Sequence, residues 1–114
     1  MHALTFQFKR VHLKSVAYGR RVVKPVEGMT PARFDFLFAI ARPGLDRVLM
    51  GRCPQRKVQD ILGLHPATIS QMAQRLAELG WISRVRDSED RRRIELVLRP
   101  EGRRVLEQAM RILQ

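Results

Sequence analysis

Apolar residues recur every three or four positions along most of this chain, and the places where that rhythm breaks divide it into elements. Between residues 5 and 24, Phe8, Val11, Ser15, Tyr18 and Val22 share one helical face, and Thr5 is a suitable cap. Gly19 weakens such a helix by about 1 kcal/mol relative to alanine; Pro25 and Gly28 end it. Thr30 followed by Pro31 predicts a second start, a hydroxyl cap before a proline whose missing N–H costs nothing in a first turn. Over residues 31–41, Phe34, Leu37, Phe38 and Ala41 form one stripe, which predicts a core face, and Pro43 and Gly44 close the segment. Residues 45–52 are ambiguous, with Val48, Leu49 and Met50 suited to a short strand. Pro54 then opens a predicted helix to about Leu62, with Val58, Ile61 and Leu62 inward and Gly63 as its left-handed terminator.

The next segment, residues 66–79, has two distinct sides. At about 100° per residue, Ile69, Met72, Ala73, Leu76, Leu79 and Gly80 fall within an arc of roughly 120°, the predicted buried side. Ala67, Gln71, Gln74 and Glu78 lie opposite, flanked by Ser70 on one edge and by Thr68 and Arg75 on the other. Lysine and glutamate usually dress such a surface; here short and amide side chains dominate it. Amides and hydroxyls both donate and accept, which is what reading base edges in a major groove requires. Residues 81–86 and 94–98 then alternate as two strands around the loop Asp87, Ser88, Glu89, Asp90, Arg91, Arg92, Arg93. Pro100, Glu101 and Gly102 begin a last helix with Val105, Leu106, Ala109, Ile112 and Leu113 on its apolar stripe. Trp81 is expected in the core at the base of the first strand.

Charge sharpens this picture. The 114 residues suffice for one domain, and 22 Lys and Arg against 11 Asp and Glu leave a formal charge of +11. A charge of that size concentrates polyanions around a small protein. In the loop, Arg91, Arg92 and Arg93, with Arg84 and Arg86 on the adjoining strand, outnumber Asp87, Glu89 and Asp90, so the tip stays positive after local pairing. Cys53 is the only cysteine, which excludes an intramolecular disulfide. No apolar run approaches the roughly 20 residues needed to span a bilayer, and residues 1–9 lack the basic start and apolar core of a signal peptide; a cytoplasmic location is expected. No Cys/His cluster has metal-ligand spacing, and no nucleophile motif or phosphate-cradling glycine loop is present, so neither a cofactor nor an enzyme is expected. His65, in the turn before residue 66, suits a cap or a phosphate contact. Cys53 beside Pro54 is expected to be a half-buried structural thiol, with oxidation sensing as the alternative.

Helix, tight turn, two-faced helix and basic hairpin in that order suit one element in a DNA groove and another beside it. The sequence resembles the MarR-type winged helix–turn–helix regulators over about residues 29–107. The resemblance rests on residues 29–37, 62–70, 76–82, 87–93 and 98–102, five short matches in order at the right spacing. It implies a mostly α fold with a small β-wing (α+β): a winged helix–turn–helix domain at 29–100 flanked by dimerisation segments at 1–28 and 101–114. It also implies a homodimer on double-stranded DNA, reading a palindromic operator. Mapped residue by residue, the major-groove helix places Pro66, Ala67, Thr68, Ser70, Gln71 and Gln74 toward bases and Arg75 near phosphates. The wing places Arg92 in the minor groove with Asp90 orienting it by a bidentate pair, and Arg84, Arg86, Arg91 and Arg93 around it. Three departures stand out. Gln71 replaces a common arginine, Arg99 replaces a capping threonine, and the C-terminal helix is short, which leaves a small-molecule effector an open question. The rival readings are a winged-helix protein-interaction or accessory module and an RNA-binding basic domain; few aromatics are available to stack on single-stranded bases.

Overall fold

Residues 26–42 and 50–113 are described in the computed structural model, and they form four helices and three short strands. In chain order these are α1 (Pro31–Ala41), β1 (Arg52–Pro54), α2 (Gln55–Leu62), α3 (Pro66–Glu78), β2 (Ile82–Arg86), β3 (Ile94–Leu98) and α4 (Pro100–Leu113). The expected helix over residues 5–24 lies outside the described residues, as do Val48 and Leu49 of the ambiguous strand; Met50 is exposed and not in a strand. The mostly α fold with a small β-wing is the one expected.

The Thr30–Pro31 start behaves as its chemistry requires: the Thr30 hydroxyl accepts from the Arg33 N–H at 3.1 Å. The helix it opens is not amphipathic, however. Every residue from Phe34 to Ala41 is buried, where the sequence suggested a single inward stripe. Helices that are apolar all round belong in the middle of a core, and α1 packs against α2, α4, β1 and β3 together. The Phe34 and Phe38 rings, one turn apart, stack with centroids 6.2 Å apart.

The sheet corrects the two-stranded expectation. Its order is β1-β3-β2, antiparallel throughout, with Arg52, Cys53 and Pro54 paired to Val97, Leu96 and Glu95. Pro54 therefore ends a strand and caps α2 rather than opening a helix. A three-residue strand shows no alternation of its own and exists only through its ladder to β3. Cys53 on this strand is fully buried, not half-buried; the Arg42 Nη1 donates to its sulfur at 3.1 Å and to the Ala39 carbonyl at the same distance.

The wing is mounted on α4 through one close contact. Gly102 is buried against Trp81, and a Cβ there would lie 2.0 Å from the Trp81 carbonyl oxygen. That carbonyl also accepts from the Arg99 N–H at 2.9 Å. Trp81 itself is buried, as are Val105, Leu106 and Ala109 of α4, so the sheet base and α4 share one core with α1.

Candidate nucleic-acid interface

The turn between α2 and α3 is built from three local interactions. Gly63 adopts φ +65° and its N–H donates to the Gln59 carbonyl at 2.8 Å, ending α2 in the left-handed conformation that glycine adopts without a Cβ penalty. His65 caps α3: its Nδ1 accepts from the Ala67 N–H at 3.1 Å, and Pro66 follows in the first turn. This is the capping role expected of the residue. The α3 side chains then divide as the spacing predicts. Ile69, Ala73 and Leu76 are buried, and Met72 and Leu79 pack partly against the core. Burial of Ile69 and Leu76 contributes about 1.5–3 kcal/mol each, enough to hold this short helix to the domain. Gly80 was expected on the inward side but is exposed, because the helix ends at Glu78 and the chain turns away.

On the other side Pro66, Ala67, Thr68, Gln71, Gln74 and Arg75 are exposed and Ser70 is half-buried. The side chains of Thr68, Gln71 and Gln74 engage no hydrogen-bond partner among the described residues. Arg75 lies 3.9 Å from Glu78, a loose surface pair. This side of α3 is thus a row of uncommitted donors and acceptors.

The wing tip is organised by two aspartates. Asp87 Oδ1 accepts from the Glu89 N–H at 2.7 Å and the Asp90 N–H at 3.1 Å, and the Asp87 N–H donates to the Arg93 carbonyl at 2.9 Å. The Asp90 and Glu89 N–H groups, with the nearby Arg93 charge, hold the Asp87 carboxyl below its ordinary range against a small opposing effect of burial. Asp90 Oδ1 accepts from both the backbone N–H and the Nε of Arg92, at 3.1 and 3.3 Å. The expected bidentate fork does not form: one carboxylate oxygen holds the inner part of Arg92 and leaves its terminal nitrogens without a partner among the described residues. The Arg92 side chain is 94% exposed. Arg86 is exposed and donates to the Arg91 carbonyl, which ties the strand to the loop. The Arg91 and Arg93 side chains are exposed and make no hydrogen bond or close ion pair among the described residues, although the Arg93 charge is felt at Asp87.

Two features bring wing and helix together. Arg84 is half-buried between them, its Nη2 3.5 Å from Ser70 Oγ, so it stands between α3 and the sheet instead of projecting outward. A cleft of about 840 Å³ is lined by the start of α2, by Pro66 at the start of α3, and by Asp90, Arg92, Arg93 and Ile94 of the wing. The start of α3 and the tip of the wing thus border one space. Gln55, Arg56 and Lys57 face the same cleft and were missed by the sequence reading. The only signal for them was a basic pair at the start of the helix before the turn. Two buried polar atoms lack a partner among the described residues, Gln55 Oε1 and Arg84 Nε, and both belong to this quarter of the molecule. Among the described residues no His, Cys, Asp and Glu group suits a metal ion, and no helix is long and apolar enough to cross a membrane.

A family model described as MarR family matches residues 27–93. No curated protein sequence matches the chain. Among solved structures, a "probable transcriptional regulator" from Pseudomonas aeruginosa is 26% identical, with 95% of this chain and 77% of that one covered and a TM-score of 0.65. A mutant MarR from E. coli complexed with operator DNA is 19% identical over 96% of this chain and 68% of its own, also at TM-score 0.65. AbsC, a MarR family transcriptional regulator from Streptomyces coelicolor, is 16% identical, covers 95% and 67% respectively, and has a TM-score of 0.72. The last two likenesses concern the fold.

Proposed function

This chain belongs to the MarR family, whose members are DNA-binding transcriptional regulators and not enzymes, and from that premise we propose that it reads a specific duplex with α3 in the major groove and Arg92 in the adjacent minor groove. The observation that carries this reading is a common cleft that Pro66, at the start of α3, and Arg92 and Arg93 of the wing all line, so that the start of the helix and the wing guanidiniums border one space. Thr68, Ser70, Gln71 and Gln74 supply hydrogen-bonding groups for base edges, and Pro66 and Ala67 supply small apolar contacts. Arg75 reaches toward phosphates. A guanidinium suits the negative potential of a narrow minor groove, and the grip of Asp90 on Nε directs the terminal nitrogens of Arg92 outward. Arg91 and Arg93 add charge beside it, while Arg86 and Arg84 hold the wing in position. A second copy of the chain, related by a two-fold axis, would present the same pair of elements to the other half of a palindromic operator. The E. coli relative bound to operator DNA supports duplex DNA as the partner.

The test is a binding titration on a duplex selected from a random library. Affinity should fall steeply with salt, log K against log salt having a slope of about −0.9 for each phosphate neutralised. Arg92→Ala should weaken the selected duplex by about 1–3 kcal/mol. A flat salt response together with unchanged binding by the variant would remove the proposal.

A further inference from the structure

We infer that Gln71 and Gln74 read adenine, so that the duplex this chain prefers carries A·T rather than G·C pairs beneath the middle of α3. The inference rests on the reading above and adds to it the kind of base that is recognised. Ala67, Gln71 and Gln74 lie within about 60° of one another around the helix axis, and all three are exposed. The only charged residues of α3 are Arg75 and Glu78. Arg75 stands beyond the edge of this row, 3.9 Å from Glu78. Glu78 closes the row in the last turn, at the end of the helix away from the bases. The commonest specific contact to guanine is an arginine or lysine on O6 and N7, and α3 has neither before Arg75. Arg84 of the neighbouring strand supplies none, since it is half-buried and donates to Ser70 Oγ at 3.5 Å.

The chemistry of a primary amide decides the base. It carries a carbonyl acceptor and an N–H donor side by side. In the major groove adenine alone shows their complement, an N6 amine donor next to the N7 acceptor. Guanine offers two acceptors, which sets the amide oxygen against a lone pair, and cytosine offers a single donor. The Gln71 and Gln74 amides engage no hydrogen-bond partner among the described residues, so neither is committed before a base arrives. Three residues apart, they are separated by about 4.5 Å along the axis, a little more than the rise of about 3.4 Å between stacked pairs. They therefore meet neighbouring pairs rather than one. Pro66, Ala67 and Thr68 place small apolar groups beside them, which suit the thymine methyl that faces the same groove. Thymine is the partner of adenine, so both kinds of contact favour the same base pair.

The experiment uses the full chain and the duplex it selects from a random library, remade with one altered pair at a time. Exchanging A·T for hypoxanthine·cytosine gives the major groove the pattern of G·C and leaves the minor groove without the guanine amine. Exchanging it for 2,6-diaminopurine·thymine does the reverse. Scanned along each half-site, the first exchange should weaken binding about tenfold at each of two adjacent pairs, and the second should leave those pairs unaffected. In a selection repeated with Gln71→Arg, one of the two should change from adenine to guanine, because a guanidinium fits O6 and N7. Circular dichroism checks that the variant is folded, which the exposure of Gln71 favours. Hypoxanthine·cytosine tolerated by the parent at every pair would overturn the inference, as would a Gln71→Arg preference identical to the parent's. Either result, obtained together with a steep salt dependence and a loss of affinity in Arg92→Ala, sinks this inference alone. A flat salt response with normal binding by Arg92→Ala takes the groove assignment away as well.

Discussion

Replacing Gly102 with alanine should force apart the seam on which the wing is mounted. The added Cβ would sit 2.0 Å from the Trp81 oxygen, 2.8 Å from its carbonyl carbon and 3.0 Å from its Cα, all backbone atoms. Carbon and oxygen rest comfortably at about 3.3 Å, so α4 must retreat by about 1 Å. Trp81 cannot simply rotate away, because its carbonyl is held by the Arg99 N–H and its side chain is buried. Forcing a methylene into packed space costs about 1–3 kcal/mol, and the depth of this overlap argues for the upper part of that range. Alanine returns about 1 kcal/mol through its better helix propensity. The net loss is then about 1–2 kcal/mol, equivalent to about 5–15 °C in Tm for a domain of this size. Urea and thermal unfolding followed by Trp81 fluorescence and circular dichroism would measure it. Gly63→Ala is the comparison: nothing lies within 4 Å of a Cβ there, and its cost of about 1–2 kcal/mol comes from the left-handed backbone alone. The two variants should also part in function, since displacing Trp81 moves β2 and lowers duplex affinity beyond the loss in stability. A Gly102→Ala protein as stable as the parent, or more so, would refute the close contact and the mounting argument with it.

Two further outcomes follow from α3 and the wing. Ile69→Ala opens a cavity under α3 and should destabilise the domain by about 2–5 kcal/mol, whereas Gln71→Ala on the exposed side should change stability by no more than about 0.5 kcal/mol yet alter which duplexes are selected; a Gln71→Ala variant with the parental preference would remove that residue from base reading. For Asp87, whose carboxyl is held below its ordinary 3.8, the order it gives the wing is fully present above the ordinary carboxylate value and is lost as pH falls through the depressed one. Acid titration followed by the Glu89 and Asp90 amide signals should show this loss in the parent and not in Asp87→Asn, and identical profiles would refute the role of the Asp87 turn.

Much of the candidate interface is legible in the sequence because it depends on short-range spacing. The two sides of α3, the Thr30 cap, the Gly63 terminator and the capping role of His65 each involve residues within a few positions of one another. Local geometry of that kind follows directly from residue type and helical period. The MarR resemblance was readable for a related reason, as several local signatures in a set order. Where the reading failed, the cause was contact between distant segments. The strand at Arg52–Pro54 exists because β3, some forty residues later, pairs with it; its three residues carry no period of their own. The uniform burial of α1 reflects how many elements surround it, which its own stripe does not encode.

The sequence by itself determined the two sides of α3, the Thr30 cap that starts α1, the Gly63 terminator that ends α2, and that the chain carries a large positive charge. Only the tertiary structure decided that Arg84 lies against Ser70, that Asp90 grips Arg92 through one oxygen, and that Arg56 and Lys57 face the wing across a shared cleft. The physical reason is that side-chain chemistry and helical period are properties of neighbours along the chain. The distance between two elements is instead set by the buried contacts that pack them, here Gly102 on Trp81 and α1 at the centre of the core.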